Sequence, residues 1–273
     1  MKASHLWRRL VLTLGLSLLA VSVFAQAQPG SQTFTPEVGQ PGKDVVWVPT
    51  PQSLVDRMLD IAKVTPQDYV IDLGSGDGRT VITAAKRGAR AHGIEYNPDM
   101  VALSQRNAST AGVSTRATFA KADLFESDFS QASVITMFLL PDINLRLRPK
   151  ILDLKPGTRI VSNTFTMDDW TPDETSVVGD DCVSWCTALF WIVPAKVDGV
   201  WQLDQGQLEL RQRFQLVSGT VTNGTTTTPI TGATLRGDQI SFTARGVQYT
   251  GRVTGTSMQG TTSTGGSWRA TRR

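Results

Sequence analysis

The stretch Tyr69-Val-Ile-Asp-Leu-Gly-Ser-Gly-Asp-Gly-Arg79 constrains this chain more than any other. An apolar segment holding a single carboxylate runs into three glycines spaced G-x-G-x-G, and a helical pattern over Arg79–Arg87 follows at once. That order reads as a buried strand, a tight turn and a helix. Glycines in such a turn accept backbone angles that a Cβ forbids, and they let a ligand lie directly against amides at a helix N-terminus. A strand apolar on both faces belongs inside a parallel sheet covered by helices.

The neighbouring sequence carries the same rhythm. Helical patterns over Gln52–Lys63, Pro98–Ala111 and Asn144–Leu154 alternate with strand patterns over Arg90–Glu95, Thr115–Lys121, Ser133–Leu140 and Gly157–Phe165. The expected fold is therefore α/β, with a doubly wound, mostly parallel sheet over residues 45–196 that binds ligands at the carboxyl ends of its strands. Beyond Pro194 the texture changes to short alternating stretches such as Gln207–Phe214, Gln239–Thr243 and Gln248–Val253, broken by Gly- and Thr-rich turns. Residues 197–273 read as a small antiparallel β module.

A dinucleotide fingerprint runs G-x-G-x-x-G, whereas Gly74, Gly76 and Gly78 are spaced more tightly, with Asp72 two residues ahead and Asp77 inside. Carboxylates there repel a pyrophosphate and suit the ammonium of a cofactor that carries an amino acid. The next strand ends at Glu95, placed to accept both hydroxyls of a ribose. One strand later Asp123 and Leu124 offer an acceptor and an apolar surface, as an adenine ring requires; capping a turn and filling the core are their alternative roles.

The N-terminus carries Lys2, Arg8 and Arg9, then the apolar run Leu10 to Phe24, then Ala25-Gln26-Ala27. This is the pattern of a secretory leader cleaved near Ala27, and the run is short for a membrane span. The expectations are an exported protein of the periplasm or envelope and a flexible linker over residues 28–44. The leader removes three of the 27 basic residues and none of the 24 acidic ones, so the mature chain is balanced and offers no electrostatic case for nucleic acid. Cys182 and Cys186 form either a small-loop disulfide or two buried thiols, since spacing alone leaves both open. With one histidine, His92, beyond the leader, the ligands for a Cys/His zinc site are too few to expect one. His92 and the tryptophans are assigned to packing or surface.

Together these features make the chain resemble the class I S-adenosylmethionine (SAM)-dependent methyltransferases over residues 45–195, which implies a Rossmann-like seven-stranded sheet and SAM as cofactor. Val48-Pro-Thr-Pro51, Gly93-Ile-Glu-Tyr-Asn-Pro98 and Asp169-Trp-Thr-Pro172 further resemble the lysine methyltransferases of small membrane proteins related to the mitochondrial ATP synthase c-subunit enzyme. The resemblance implies cofactor contacts from Thr50, Pro51, Asp72, Gly74, Gly76, Asp77, Gly78, Glu95, Tyr96, Asp123 and Leu124, and an acceptor entering past Leu140 and Pro141. No residue stands out as a catalytic base. The acceptor expected is a lysine of a membrane or envelope protein, with a small molecule as alternative, or else a noncatalytic SAM-fold protein whose C-terminal module contacts an envelope partner.

Overall fold

The computed structural model describes residues 34–179 and 182–273. The expected leader over residues 1–27 lies outside the described residues, as does the start of the expected linker.

The larger part is built from α1 (Gln52–Ile61), β1 (Tyr69–Leu73), α2 (Arg79–Lys86), β2 (Arg90–Glu95), α3 (Pro98–Thr110), β3 (Ala117–Lys121), β4 (Val134–Met137), α4 (Pro141–Leu152), β5 (Arg159–Asn163), β6 (Glu174–Val177) and β7 (Thr187–Ile192). Its sheet runs β3-β2-β1-β4-β5-β7-β6. The first five strands are parallel, and β7 is antiparallel to β5 and β6. Strand order reverses between β1 and β4, so the crossovers leave in opposite directions and open a crevice at the carboxyl ends.

Successive residues of the central strands point to opposite faces. Val70, Val134 and Val161 join the core under α1, α2 and α3. Ile71, Ile135 and Ile160 join a second core with Ile143, Leu147 and Ile151 of α4. In α1 the buried Leu54, Val55, Met58 and Leu59 follow the helical period. Asn97 starts α3: its side-chain oxygen accepts from the backbone N–H of Asp99 at 2.9 Å and of Met100 at 3.4 Å, and Pro98 fills the first helical position. The junction of β4 and α4 differs most from expectation. Pro141 opens α4 three residues before Asn144, and β4 ends at Met137 instead of running to Leu140.

Residues 34–48 depart from the flexible-linker expectation. The Gly39 N–H donates to the Trp47 carbonyl at 2.8 Å, and the Trp47 N–H donates to Gln40 at 2.9 Å. Lys43 pairs with Asp123 beyond β3. The segment is a looped strap laid along the carboxyl edge of the sheet, drawn in by the half-buried Val45 and Trp47 just past the end of the expected linker.

The C-terminal module comprises β8 (Gly199–Leu203), β9 (Gln207–Arg213), β10 (Leu216–Asn223), β11 (Thr226–Pro229), β12 (Thr231–Arg236), β13 (Gln239–Ala244), β14 (Val247–Thr254), β15 (Ser257–Thr262) and β16 (Ser267–Arg272). All neighbours are antiparallel, in the order β11-β10-β9-β8-β16-β15-β14-β13-β12. The two edge strands are joined through Ile230 alone, so the sheet curls back on itself around Trp201, Leu208, Leu210, Phe242, Met258 and Trp268. It is docked on the larger sheet: the Ala195 N–H donates to Gly237 at 2.8 Å, and Lys196 pairs with Asp153.

Candidate functional site

A cleft of about 230 Å³ lies along the carboxyl edge of the larger sheet, roofed by the strap. The glycine turn forms its floor. Gly74 and Gly76 adopt φ of 77° and 52°, angles open to glycine. A Cβ on Gly76 would come within 2.7 Å of the Trp47 indole nitrogen, and one on Gly74 within 3.0 Å of Leu139.

The carboxylates differ sharply in state. Asp72 is 6% exposed and accepts a 2.6 Å hydrogen bond from the Thr136 hydroxyl, the residue opposite it on β4. Burial pushes its carboxyl up to about 7, the Thr136 bond opposes this, and the charges of Glu95 and Asp77 add to it. Glu95 accepts from the Gly76 N–H through one oxygen and from the Asn97 N–H through the other, both at 2.9 Å. Each oxygen keeps a lone pair for a further donor.

Asp77 departs from its expected role as a free partner for an ammonium, because the Arg79 guanidinium two residues on forks onto it at 2.6–3.1 Å. Arg79 also donates to the Thr50 carbonyl at 2.9 Å, and the Asn163 side chain donates to the Thr50 hydroxyl at 3.3 Å. The turn, the entry to α1 and the end of β5 are thereby tied together. Asp123 is likewise occupied: Lys43 and the Phe125 N–H hold its carboxyl below the usual carboxylate range. Lys43 also sits over the Tyr96 ring, 4.8 Å from its centroid.

Of the residues singled out by sequence, Thr50, Asp72, Gly74, Gly76, Asp77, Glu95, Tyr96, Asp123, Leu124 and Leu140 line this cleft. Three do not. Gly78 turns the chain into α2 with its Cα against Phe119 and Ser104, where a Cβ would come within 2.9 Å of both. Pro51 caps the start of α1 and Pro141 occupies the first position of α4, both ordinary helix-start roles for proline. Two of the tryptophans assigned to packing or surface, Trp47 and Trp185, line the cleft with Phe138 and Phe165. Trp170 of the Asp169-Trp-Thr-Pro172 motif is fully buried in the core. Cys182 and Cys186 are joined as a disulfide, with Cα atoms 5.7 Å apart. His92 lies outside the cleft, its Nδ1 2.8 Å from the Thr118 hydroxyl.

The profile of the ANTKMT methyltransferase domain matches residues 72–174. A protein-lysine N-methyltransferase of Saccharolobus islandicus is 45% identical over 151 residues, 54% of this chain and 94% of that protein. The chain belongs to this family of SAM-dependent methyltransferases. A crystal structure described as an RNA methyltransferase of Salinibacter ruber in complex with S-adenosyl-L-homocysteine is 45% identical, covering 55% of this chain and 96% of that one with a TM-score of 0.51. The mouse lysine N-methyltransferase of the ATP synthase c-subunit is 42% identical over 115 residues, 42% of this chain, and the chain spans about half of that protein, 47%. S-adenosylmethionine is the cofactor of this methyltransferase.

Proposed function

We propose that this methyltransferase transfers the methyl group of S-adenosylmethionine to the side-chain amine of a protein lysine. The observation that carries the reading is the 45% identity to the archaeal protein-lysine N-methyltransferase across 94% of that protein.

The cleft fits the cofactor. The space over Gly74 and Gly76 is one that a Cβ would fill, and the carboxylates of Asp72 and Glu95 beside it keep lone pairs beyond their bonds to Thr136, Gly76 and Asn97. Asp72 is placed to hold the ammonium of the methionine part, Glu95 the ribose hydroxyls, and Leu124 with Tyr96 the flat base, beneath the strap of Lys43 to Trp47. S-adenosylmethionine supplies a methyl group already activated on a positively charged sulfur. The chain's task is then alignment and exclusion of water. Apolar Leu139, Leu140 and Ile143 on the acceptor side disfavour a charged lysine and hold its amine neutral, with a lone pair ready to attack.

We further propose that the enzyme acts outside the cytosol. The leader pattern in residues 1–27 supports this, and the Cys182–Cys186 disulfide suits an oxidising compartment. A fusion of residues 1–40 to an export-dependent reporter tests it; a reporter retained in the cytosol would contradict it.

Labelled S-adenosylmethionine incubated with the enzyme and cell-envelope protein tests the acceptor. Acid hydrolysis is expected to return the label as methylated lysine. Label lost on dialysis, or released by ribonuclease, overturns the lysine reading in favour of a small molecule or RNA.

A further inference from the structure

The carboxyl edge of the sheet is divided along its length. Beyond β3, β2 and β1 lie the polar groups Asp123, Glu95 and the glycine turn. Beyond β4 and β5 lie Phe138 and Phe165, and just ahead of β7 lies Trp185. Because β7 runs antiparallel to β5, its first residues reach the same edge, and the Thr164 N–H donates to the Thr187 carbonyl at 2.7 Å. Phe138 stacks on Phe165 with ring centroids 5.8 Å apart and meets Trp185 at 5.9 Å with planes tilted by 59°. Among the described residues, none that lines the cleft from Met137 to Trp185 carries a charge.

Two of these rings are fixed by unusual backbone. Trp185 has φ of 55° and Thr164, beside Phe165, has φ of 57°, the left-handed region that side-chain-bearing residues seldom enter. The Phe165 carbonyl accepts from the Ser162 hydroxyl at 2.7 Å and from the Asn144 side chain at 3.2 Å. Trp185 is held in the loop closed by the Cys182–Cys186 bridge, whose end is pinned by the Val178 N–H donating to the Cys186 carbonyl at 3.0 Å. Yet Trp185 remains 41% exposed, at the mouth of the cleft. A large ring locked in place and left open to the entrance is poorly explained as packing.

We propose that Trp185, with Phe138 and Phe165, forms the acceptor-binding wall, and that the Cys182–Cys186 bridge sets the position of Trp185. The inference rests on the lysine reading above and names the chemistry that recognises the acceptor. The ligand class is an alkylammonium: the lysine amine as it gains methyl groups. When the amine lone pair forms its bond to the methyl carbon, the carbon–sulfur pair returns to sulfur and the positive charge passes to nitrogen. Among the described residues lining the cleft from Met137 to Trp185 none is a carboxylate, so the faces of aromatic rings are the partners that this stretch offers to that charge. After each transfer the ammonium must lose a proton to solvent before another methyl is accepted, and a full set of methyls leaves a permanent cation.

The test uses the full enzyme with S-adenosylhomocysteine and two probes, Nα-acetyl-Nε-trimethyl-lysine amide and its neutral carbon isostere, titrated by calorimetry. The cation is expected to bind wild type about fivefold or more tighter than the isostere. Trp185→Ala is expected to lose about tenfold in cation affinity while Trp185→Phe keeps most of it, a contrast expected of a π face. The double variant Cys182→Ser, Cys186→Ser is expected to weaken the cation while leaving S-adenosylhomocysteine affinity unchanged, which also controls for folding. Equal binding of both probes, no binding of the cation to wild type, or wild-type affinity in Trp185→Ala overturns the proposal. Methyl label transferred to lysine at the wild-type rate by Trp185→Ala sinks the wall and spares the lysine reading. Label found on a residue other than lysine sinks that reading, whatever Trp185 does.

Discussion

The ring of Phe214 lies on that of Trp170, centroids 5.7 Å apart and planes 18° from parallel. Phe214 sits in the turn between β9 and β10, and its neighbours reach the same motif: Arg213 pairs with Asp169 at 3.0 Å and the Gln215 side chain donates to the Thr171 carbonyl at 2.7 Å. The Asp169-Trp-Thr-Pro172 segment is thus where the C-terminal module is fastened. Removing the buried indole with Trp170→Ala is expected to cost about 3–5 kcal/mol in urea unfolding. Arg213→Ala, at an exposed pair, is expected to change stability by no more than about 1 kcal/mol.

Cofactor affinity is expected to depend on Glu95 and on the bare turn beside it. Glu95→Ala removes the proposed ribose acceptor and also strands the Gly76 and Asn97 N–H groups, so calorimetry should find affinity for S-adenosylhomocysteine lower by about tenfold to a hundredfold, the loss expected when a charged hydrogen-bonding group is removed. Gly76→Ala forces a Cβ against Trp47 at a φ of 52°, and is expected to weaken binding with Glu95 intact.

Asp72 gives the cofactor site a pH dependence. Burial pushes its carboxyl up to about 7 in the free enzyme, and the ammonium it is proposed to hold favours the ionised form. Binding should therefore release a proton below about pH 7, and affinity should fall as pH drops from 8 to 6. The stability of the free protein moves the other way: folded Asp72 binds its proton more tightly than unfolded, so its contribution weakens as pH rises toward 7. Asp72→Asn should flatten both profiles in calorimetry and thermal unfolding.

Asp68 has the opposite sign. Burial raises its carboxyl, but hydrogen bonds from Ser133 and Thr65 and the Arg159 guanidinium outweigh this and hold it below the ordinary range. Its stabilisation is present above an unfolded value of about 4 and is lost as pH falls through the lower folded value. Asp68→Asn is expected to cost about 3 kcal/mol at pH 7, because it leaves Arg159 with the Ala62 and Lys63 carbonyls but without its counter-charge, and the gap to wild type should close in acid.

The elements most legible in the sequence are those that a single local signal specifies. The strand and turn over Tyr69–Arg79 announced themselves because burial on both faces and three glycines admit few other structures, and β1 spans Tyr69–Leu73 as expected. Glu95 followed from strand periodicity. The strap was illegible because its Gln-, Pro- and Gly-rich composition lacks any period, and its order comes from partners distant in sequence such as Asp123 and Met100. Trp185 was hidden for the same reason: only the antiparallel return of β7 brings it beside Phe138, and strand direction is not written in residues 182–187. The partnering of Asp77 with Arg79 was available in principle, since the two are close in sequence, but it turns on a rotamer that no spacing rule supplies.

The family profile matches residues 72–174, yet the cleft is roofed from Gln40 and walled as far as Trp185. A protein trimmed to that matched stretch would lose α1, most of β1 and every residue between the disulfide cysteines, keeping the signature and discarding the vessel around it. The profile and the working parts have different borders in this molecule, and an engineer moving its chemistry to another host protein must cut along the second.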